Sequence, residues 1–471
     1  MAVFANQDTE RPEEISGNDF AELITNNPGH IHNKIVHGTV DAANYDTQKY
    51  IHIENCVFKN YVNLQFGTVR RFKISNCNFD TDLYLDFSDP GSVINLEKVQ
   101  VTNDLVISEL KKGQLAFSHC SIKQKLIFQS VDEAEVYVNS TSIEQELRLD
   151  GIGLTTNFGD FRLSRCRSSK VFIDNSVALK SMFFYSGVWG TVSIGSQKID
   201  QLEFHGPEII FELLEFKPYS YQERVMISSA KISKLSMSNH VRTSGSFGLY
   251  DVSIEDEWKM DNSSPYDLKL LNVNLSKANV YLDNSLLDKA IFSNIFWPRR
   301  NILSSTIEDG SLKRAVSLRE TYRQLKRVMS REGNHIDALH FYRNEMEAYK
   351  QQINKNADVE AQTKFIVWLS EWASDHGQDF VRPLKKMLLI HLGLLIILVA
   401  LNYNNYSIVP LAQHDWNSFE NLFGEYFKLL NPAHRSPNMK GIQLFIDFLM
   451  RLSSGFFIYH IIRASRKFAK V

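Results

Sequence analysis

A return of similar residues about every 21 positions constrains this chain more than any other feature. One unit runs Ile51, Ile53, Cys56, Phe58, then Val62, Leu64, Phe66, and the next runs Phe72, Ile74, Cys77, Phe79, then Leu83, Leu85, Phe87. The third to fifth units place Val99, Cys120 and Thr141 where the first two place Cys56 and Cys77, so the steps are 21, 22, 21 and 21 residues. Each unit is two short alternating segments joined by a bend. Alternation sends every second side chain to one face of a strand, and a fixed return stacks those faces coil on coil. The solid with that property is a parallel β-helix. A sandwich would need repeated Asn-Gly or Asp-Gly hairpin turns, which the units lack.

The pattern has two breaks. A Gly-rich stretch from Gly151 to Gly159 precedes a resumption at Phe161, Leu163 and Cys166, and Met182, Phe184, Gly187 and Trp189 continue it. The segment Pro207 to Gln222 departs from the period and reads as a loop or helical excursion, after which coils resume as far as Leu268, Val273, Val280 and Leu282. The expected organisation is an N-terminal cap over 1–49, a parallel β-helix over 50–300, a helical connector over 311–380 and a two-helix membrane domain over 381–471.

The four cysteines, Cys56, Cys77, Cys120 and Cys166, all fall at one equivalent corner, where Val99 and Thr141 stand in other coils. A position that Val can fill uses Cys as a small buried hydrophobe. No Cys-x-x-Cys pair offers a zinc chelate. His30 and His32 share a strand face with His37 nearby, and without a thiol or carboxylate in sequence reach they read as a polar cap. No metal and no cofactor is expected. The chain has no phosphate-binding Gly loop, no Gly-x-Ser-x-Gly and no His-Glu-x-x-His, and its coils show no recurrent carboxylate column, so an enzyme is not expected.

The Cys-x-Phe corners at Cys56/Phe58 and Cys77/Phe79 resemble those of the pentapeptide-repeat family. In that family a small residue and, two positions on, a Leu or Phe point inward at each side of the coil. The resemblance covers about half the chain and implies a dry interior stack.

From Leu312 the apolar period changes from two to nearly four. Ala315, Leu318, Tyr322, Leu325 and Met329 form one stripe, and Ile336, Leu339, Tyr342 and Met346 form another after Gly333-Asn334, giving a helical hairpin suited to cap the open end of a β-helix. The first of these helices carries Lys313, Arg314, Arg319, Arg323, Lys326, Arg327 and Arg331 against Glu320. Such a face suits lipid phosphate, with nucleic acid the less favoured partner and pairing to nearby acids the plain alternative.

Met387 to Leu401 is almost wholly apolar, follows Pro383, and reaches spanning length if extended from Leu384 into the Asn-Tyr stretch. Gly441 to Ile462 is a second candidate span. Arg382, Lys385 and Lys386 precede the first, while Arg463, Arg466, Lys467 and Lys470 follow the second; the loop 402–440 has no net charge. Positive charge at both outer flanks places both termini in the cytosol at the inner membrane, with those residues at lipid headgroups. The region from Met1 to Asn26 lacks the pattern of a signal peptide, in keeping with that orientation.

The second span holds Asp447 and Arg451 four residues apart, with His460 nearer its cytosolic end. Charge within a span faces a partner helix or water. Trp416 to Leu430, with Phe419, Leu422, Phe423, Tyr426 and Phe427 at helical spacing, reads as an interfacial or pore helix, and the arrangement resembles two-span ion channels without a Thr-Val-Gly-Tyr-Gly filter. Two spans cannot enclose a pore, so conduction requires a homo-oligomer. The expected function is a β-helix that binds a cytosolic protein or ligand and controls such a hairpin, and the alternative is a non-conducting membrane scaffold. At 471 residues, 23% charged and net charge -2, the chain has no global charge to steer it elsewhere.

Overall fold

The computed structural model describes residues 11–26, 29–88, 91–151, 156–196, 198–217, 222–239, 244–298, 302–356, 358–401, 413–435 and 439–469. The chain divides into two compact units, Met1–Thr306 and Ile307–Val471.

The first unit is a parallel β-solenoid of about 12 turns with about 21 residues per coil. Its register follows the sequence period residue by residue. Val40 pairs with Val62, and the column continues through Leu83, Leu105, Leu126, Leu147, Val171, Val192, Leu214, Leu235 and Trp258 to Val280. Every member is at most 1% exposed. A slip of one residue in any coil would turn that coil's apolar set outward, so the hydrophobic pattern itself fixes the register. Aromatic rings also stack along the interior, Phe58 on Phe79 at 4.6 Å between centroids and nearly parallel, and Phe184 on Phe204 at 4.6 Å.

The cysteine corner forms a second column. The carbonyls of Cys56, Cys77, Val99, Cys120 and Thr141 accept from the amides of Asn78, Gln100, Ser121, Ser142 and Arg167 in the coils that follow, at 2.9–3.2 Å. Cys166 then pairs with Gly187. All four thiols are free and buried. Just before this column the chain turns through the left-handed region at Asn33, Asn55, Asn76, Lys98, His119, Ser140 and Arg165, with φ from 50° to 56°. Asn bears that conformation at lower cost than most residues, which accounts for the Asn-Cys pairs at Asn55 and Asn76. At Gly187 the column leaves no room for a side chain: φ is +130° and a Cβ would lie 2.4 Å from the Cys166 carbonyl oxygen.

Two expectations for this unit need correction. Parallel pairing begins well before residue 50, at Glu13–Ser16, which pairs with Lys34–His37. Helix α1 (Gly17–Asn26) interrupts that first coil and hides the period there. Ser16 and Asp19 close its start reciprocally, the Asp19 amide donating to Ser16 Oγ at 3.1 Å and the Ser16 hydroxyl to Asp19 Oδ2 at 2.7 Å. Phe20 of α1 meets Phe58 edge to face at 4.9 Å. The part from Pro207 to Phe216 is also no loop: Lys198–Phe216 is a strand, paired with the strands on either side. Its register shifts between His205 and Ile209, so a bulge absorbs the extra residues around Gly206 and the period resumes. Within the two breaks, residues 152–155 and 218–221 lie outside the described residues.

The second unit is helical. Helices α2 (Leu312–Arg331) and α3 (His335–Lys355) form the expected hairpin, capped by Ser311 Oγ accepting from the Arg314 amide and Asn334 Oδ1 accepting from the Asp337 amide, both at 3.1 Å. Helix α2 buries Ala315, Tyr322, Leu325 and Met329 as expected. Helix α3 instead buries Ala338, Phe341, Glu345 and Ala348, leaving Ile336 exposed, because Phe341 turns toward Tyr322 and Glu345 answers Lys326 at 2.5 Å. Helices α4 (Ala361–Ser374), α5 (Val381–Ala400), α6 (Gln413–Leu429) and α7 (Ile442–Ala469) complete the unit.

Candidate functional site: a polar seam along the last helix

Helices α5 and α7 are long and apolar enough to cross a membrane, and 33% of each apolar window is buried. Helix α5 gains its length upstream, from Val381, where Asp379 Oδ1 accepts from the amides of Val381 and Arg382. Residues 402–412, into which the sequence suggested extending it, lie outside the described residues. Leu389, Leu392 and Ile396 on α5 and Phe445, Phe448 and Leu452 on α7 are exposed, a surface suited to lipid or to a second copy of the chain. Inside, Leu395, Leu398, Ile446 and Met450 pack with Leu422 and Leu429 of α6.

Through this apolar packing runs a series of polar contacts to α7, with Asp447, Arg451 and Ser454 on one face and Ser453 and His460 turned about 120–140° from it. Asp447 is 4% exposed and sits between two partners. Arg451, one turn on, places Nε 2.8 Å from Oδ2, which is the contact expected from their spacing. The other partner, His434, was not singled out from sequence, and its Nε2 lies 2.5 Å from Asp447 Oδ1. His434 Nδ1 lies 2.6 Å from the Asn431 carbonyl oxygen, which can only accept, so Nδ1 carries a hydrogen. His434 thus bridges the Asn431 carbonyl and the buried Asp447 carboxyl group.

Two further layers follow on α7. His391 of α5, fully buried, has Nε2 at 2.9 Å from Ser453 Oγ and 3.0 Å from Ser454 Oγ. His460 has Nδ1 at 2.7 Å from Ser374 Oγ, and the same hydroxyl accepts from the Gly377 amide at the end of α4. From Asp447 to His460 is 13 positions, about 20 Å at helical rise. Three imidazoles thus mark three depths along one helix. Such buried polar groups can draw water into an otherwise apolar interior.

The expected headgroup residues divide into two groups. Lys385 is exposed. Lys386 lies over the Trp372 ring at 3.9 Å, Arg382 pairs with Asp379 at 3.7 Å, and Arg463 donates to the Tyr342 hydroxyl at 3.1 Å, so these three are held by the protein's own groups. The side chains of Arg466 and Lys467, and all of Lys470, lie outside the described residues. On α6, Tyr426 donates to the Leu388 carbonyl at 2.8 Å, Phe423 and Phe427 are exposed and meet edge to face, and the side chain of Phe419 lies outside the described residues. The basic face of α2 is largely answered locally: Arg314 pairs with Asp309, Arg323 with Glu320, Arg331 with Glu332, and Arg319 reaches Gln352 and the Tyr349 ring. That pairing favours the plain reading of the charge run over a phosphate-binding face.

Cys56, Cys77, Cys120 and Cys166 are core groups. Burial pushes the Cys120 and Cys166 thiols up to about 11, and Cys77 is raised further by its contact with Cys56 and by burial.

No family model matches the chain, and no curated protein or solved structure matches it.

Proposed function

We propose that this chain is a membrane-anchored binding module, not an enzyme, whose solenoid recognises a cytosolic protein or ligand and biases an oligomeric, channel-like helical hairpin. In this reading α5 and α7 span the inner membrane, both termini are cytosolic, and α6 enters from the outer side and folds back against the two spans, with Phe423 and Phe427 facing lipid. One observation carries the proposal: the buried polar pair His434–Asp447, joined to Arg451, within a hairpin that would need only apolar side chains to anchor. Polar groups at three depths of α7 give water or an ion a path once several copies assemble around that helix. The likeness of the Cys-x-Phe corners to pentapeptide repeats supports a stiff stacked binding surface and names no ligand.

Planar-bilayer recording on the purified full-length protein tests this. The wild type should conduct, and the double variant Asp447→Leu/Arg451→Leu should not. Silence of the wild type under every condition, from a particle that is monomeric in detergent, would overturn the proposal. A non-conducting scaffold is the second reading, supported by the fact that Asp447 finds both partners within one chain. A scaffold keeps its localisation and binding partners in the double variant.

A further inference from the structure

The solenoid carries a second cluster of ligand-bearing side chains, far from the hairpin in sequence. Strand His30–His32 pairs in parallel with the end of strand Val40–Glu54, matching His30 to His52, Ile31 to Ile53 and His32 to Glu54. Ile31 and Ile53 point into the core, so the four flanking residues face outward as a two-by-two patch. Sequence reading dismissed the histidines for want of a carboxylate. The register supplies one from the neighbouring coil.

The geometry of the patch is that of a ligand set. One donor atom each from His30, His52 and Glu54 lie within 4.8 Å of one another. His30 Nε2 is 2.9 Å from Glu54 Oε2, and the His30 ring stacks on His52 at 4.6 Å and on His32 at 5.2 Å. Donor atoms of a tetrahedral zinc site stand about 3.3 Å apart, so closure around an ion needs side-chain rotations of about an ångström. Ser75 Oγ lies 2.7 Å from His52 Nε2 and orients that ring from the next coil. Of the nearby cations, Lys73 is drawn aside by Glu97 at 3.1 Å and Lys34 by Glu13, while Arg11 and Lys34 also line the groove beside His30. Beside His30 and His32 a groove of about 390 Å³ leaves room for water or a further ligand on the ion.

We propose that His30, His52 and Glu54, with His32 as a candidate fourth ligand, bind one divalent transition ion of the zinc class. Two imidazoles and one carboxylate suit such an ion, while magnesium and calcium require oxygen ligands. The ion would tie two adjacent coils together near the N-terminal edge of the solenoid, where the strand His30–His32 pairs, among the described residues, on one side only.

The test is a calorimetric titration of untagged, full-length, detergent-solubilised protein with Zn²⁺, alongside thermal unfolding with and without the ion. The expected result is one site per chain at micromolar affinity, a raised melting temperature in Zn²⁺, and no response to Mg²⁺ or Ca²⁺. His52→Ala and Glu54→Gln should each weaken binding about tenfold or more. His37→Ala, one strand away, should leave it unchanged. These side chains face solvent, and circular dichroism of each variant checks the fold; should His52→Ala not fold, Glu54→Gln and His30→Ala carry the test. Absence of saturable Zn²⁺ binding, equal binding of Mg²⁺, or affinity unchanged in the variants would overturn the proposal.

Discussion

Replacing Asp447 by Leu removes the carboxylate that His434 and Arg451 share. His434 is about as buried as Asp447, with side-chain exposures of 1% and 5%, so its lost contact leaves an unsatisfied polar group worth about 1–3 kcal/mol. Arg451 has a side-chain exposure of 35% and can turn its guanidinium outward, so losing its partner adds about 1 kcal/mol. The two together give about 2–4 kcal/mol, or roughly thirtyfold to a thousandfold in a local opening equilibrium. Native-state hydrogen exchange at the amides around Met450 reads that opening directly. Exchange there should accelerate by this factor in Asp447→Leu and return most of the way in the triple variant His434→Leu/Asp447→Leu/Arg451→Leu, which removes every orphan. Acceleration of less than fivefold in the single variant would refute the buried-network account, because a solvated pair is worth less than about 1 kcal/mol.

Three other outcomes are expected. The four corner thiols should resist alkylation in the native protein at pH 8 and react once it is unfolded, since Cys120 and Cys166 are pushed up to about 11 and all four are buried; rapid native labelling, followed by mass spectrometry, would contradict the stacked corner. His52 is held below its ordinary value by burial and by His30, and His376 by burial, so the unfolded chain binds protons first as pH falls. Metal-free protein should therefore be most stable above about pH 6.5 and lose stability below it until the depressed native values are passed, a trend that melting curves from pH 8 to 5 will show or deny. Asp261 is 5% exposed beside the equally buried Asp283, its carboxyl is raised by burial and by that neighbour, and its Oδ1 has no hydrogen-bond partner; Asp261→Asn should raise the melting temperature, by about 1–3 kcal/mol of stability, and a lowered one would count against the assignment.

The solenoid was legible because its information is local and repeated. Alternation over five residues chose the inward face, and the 21-residue return stacked Val62, Leu83, Leu105 and Leu126 without any knowledge of turns. What the period missed were places where one coil differs in length, through α1 in the first coil and the bulge near Gly206 later. Pairing to a neighbouring coil rescues such a coil in three dimensions, and sequence period cannot register that. The Asp447–Arg451 contact was legible because helical spacing guarantees it. His434, 13 positions earlier and across a turn, was not, and neither was His391, although a histidine in the middle of an apolar span is itself a signal that the reading passed over. His30 and His52 stand 22 positions apart, one coil of the same period, so the patch lay within reach of the sequence once the coil that follows α1 is counted as part of the solenoid.

The most direct measurement of the channel-like account is the mass of the detergent-solubilised particle by native mass spectrometry or light scattering. Two candidate spans per chain cannot surround a water path, so the account predicts a closed assembly of several copies with their α7 helices toward the axis. A particle that remains a single chain at every concentration and in every mild detergent would contradict it.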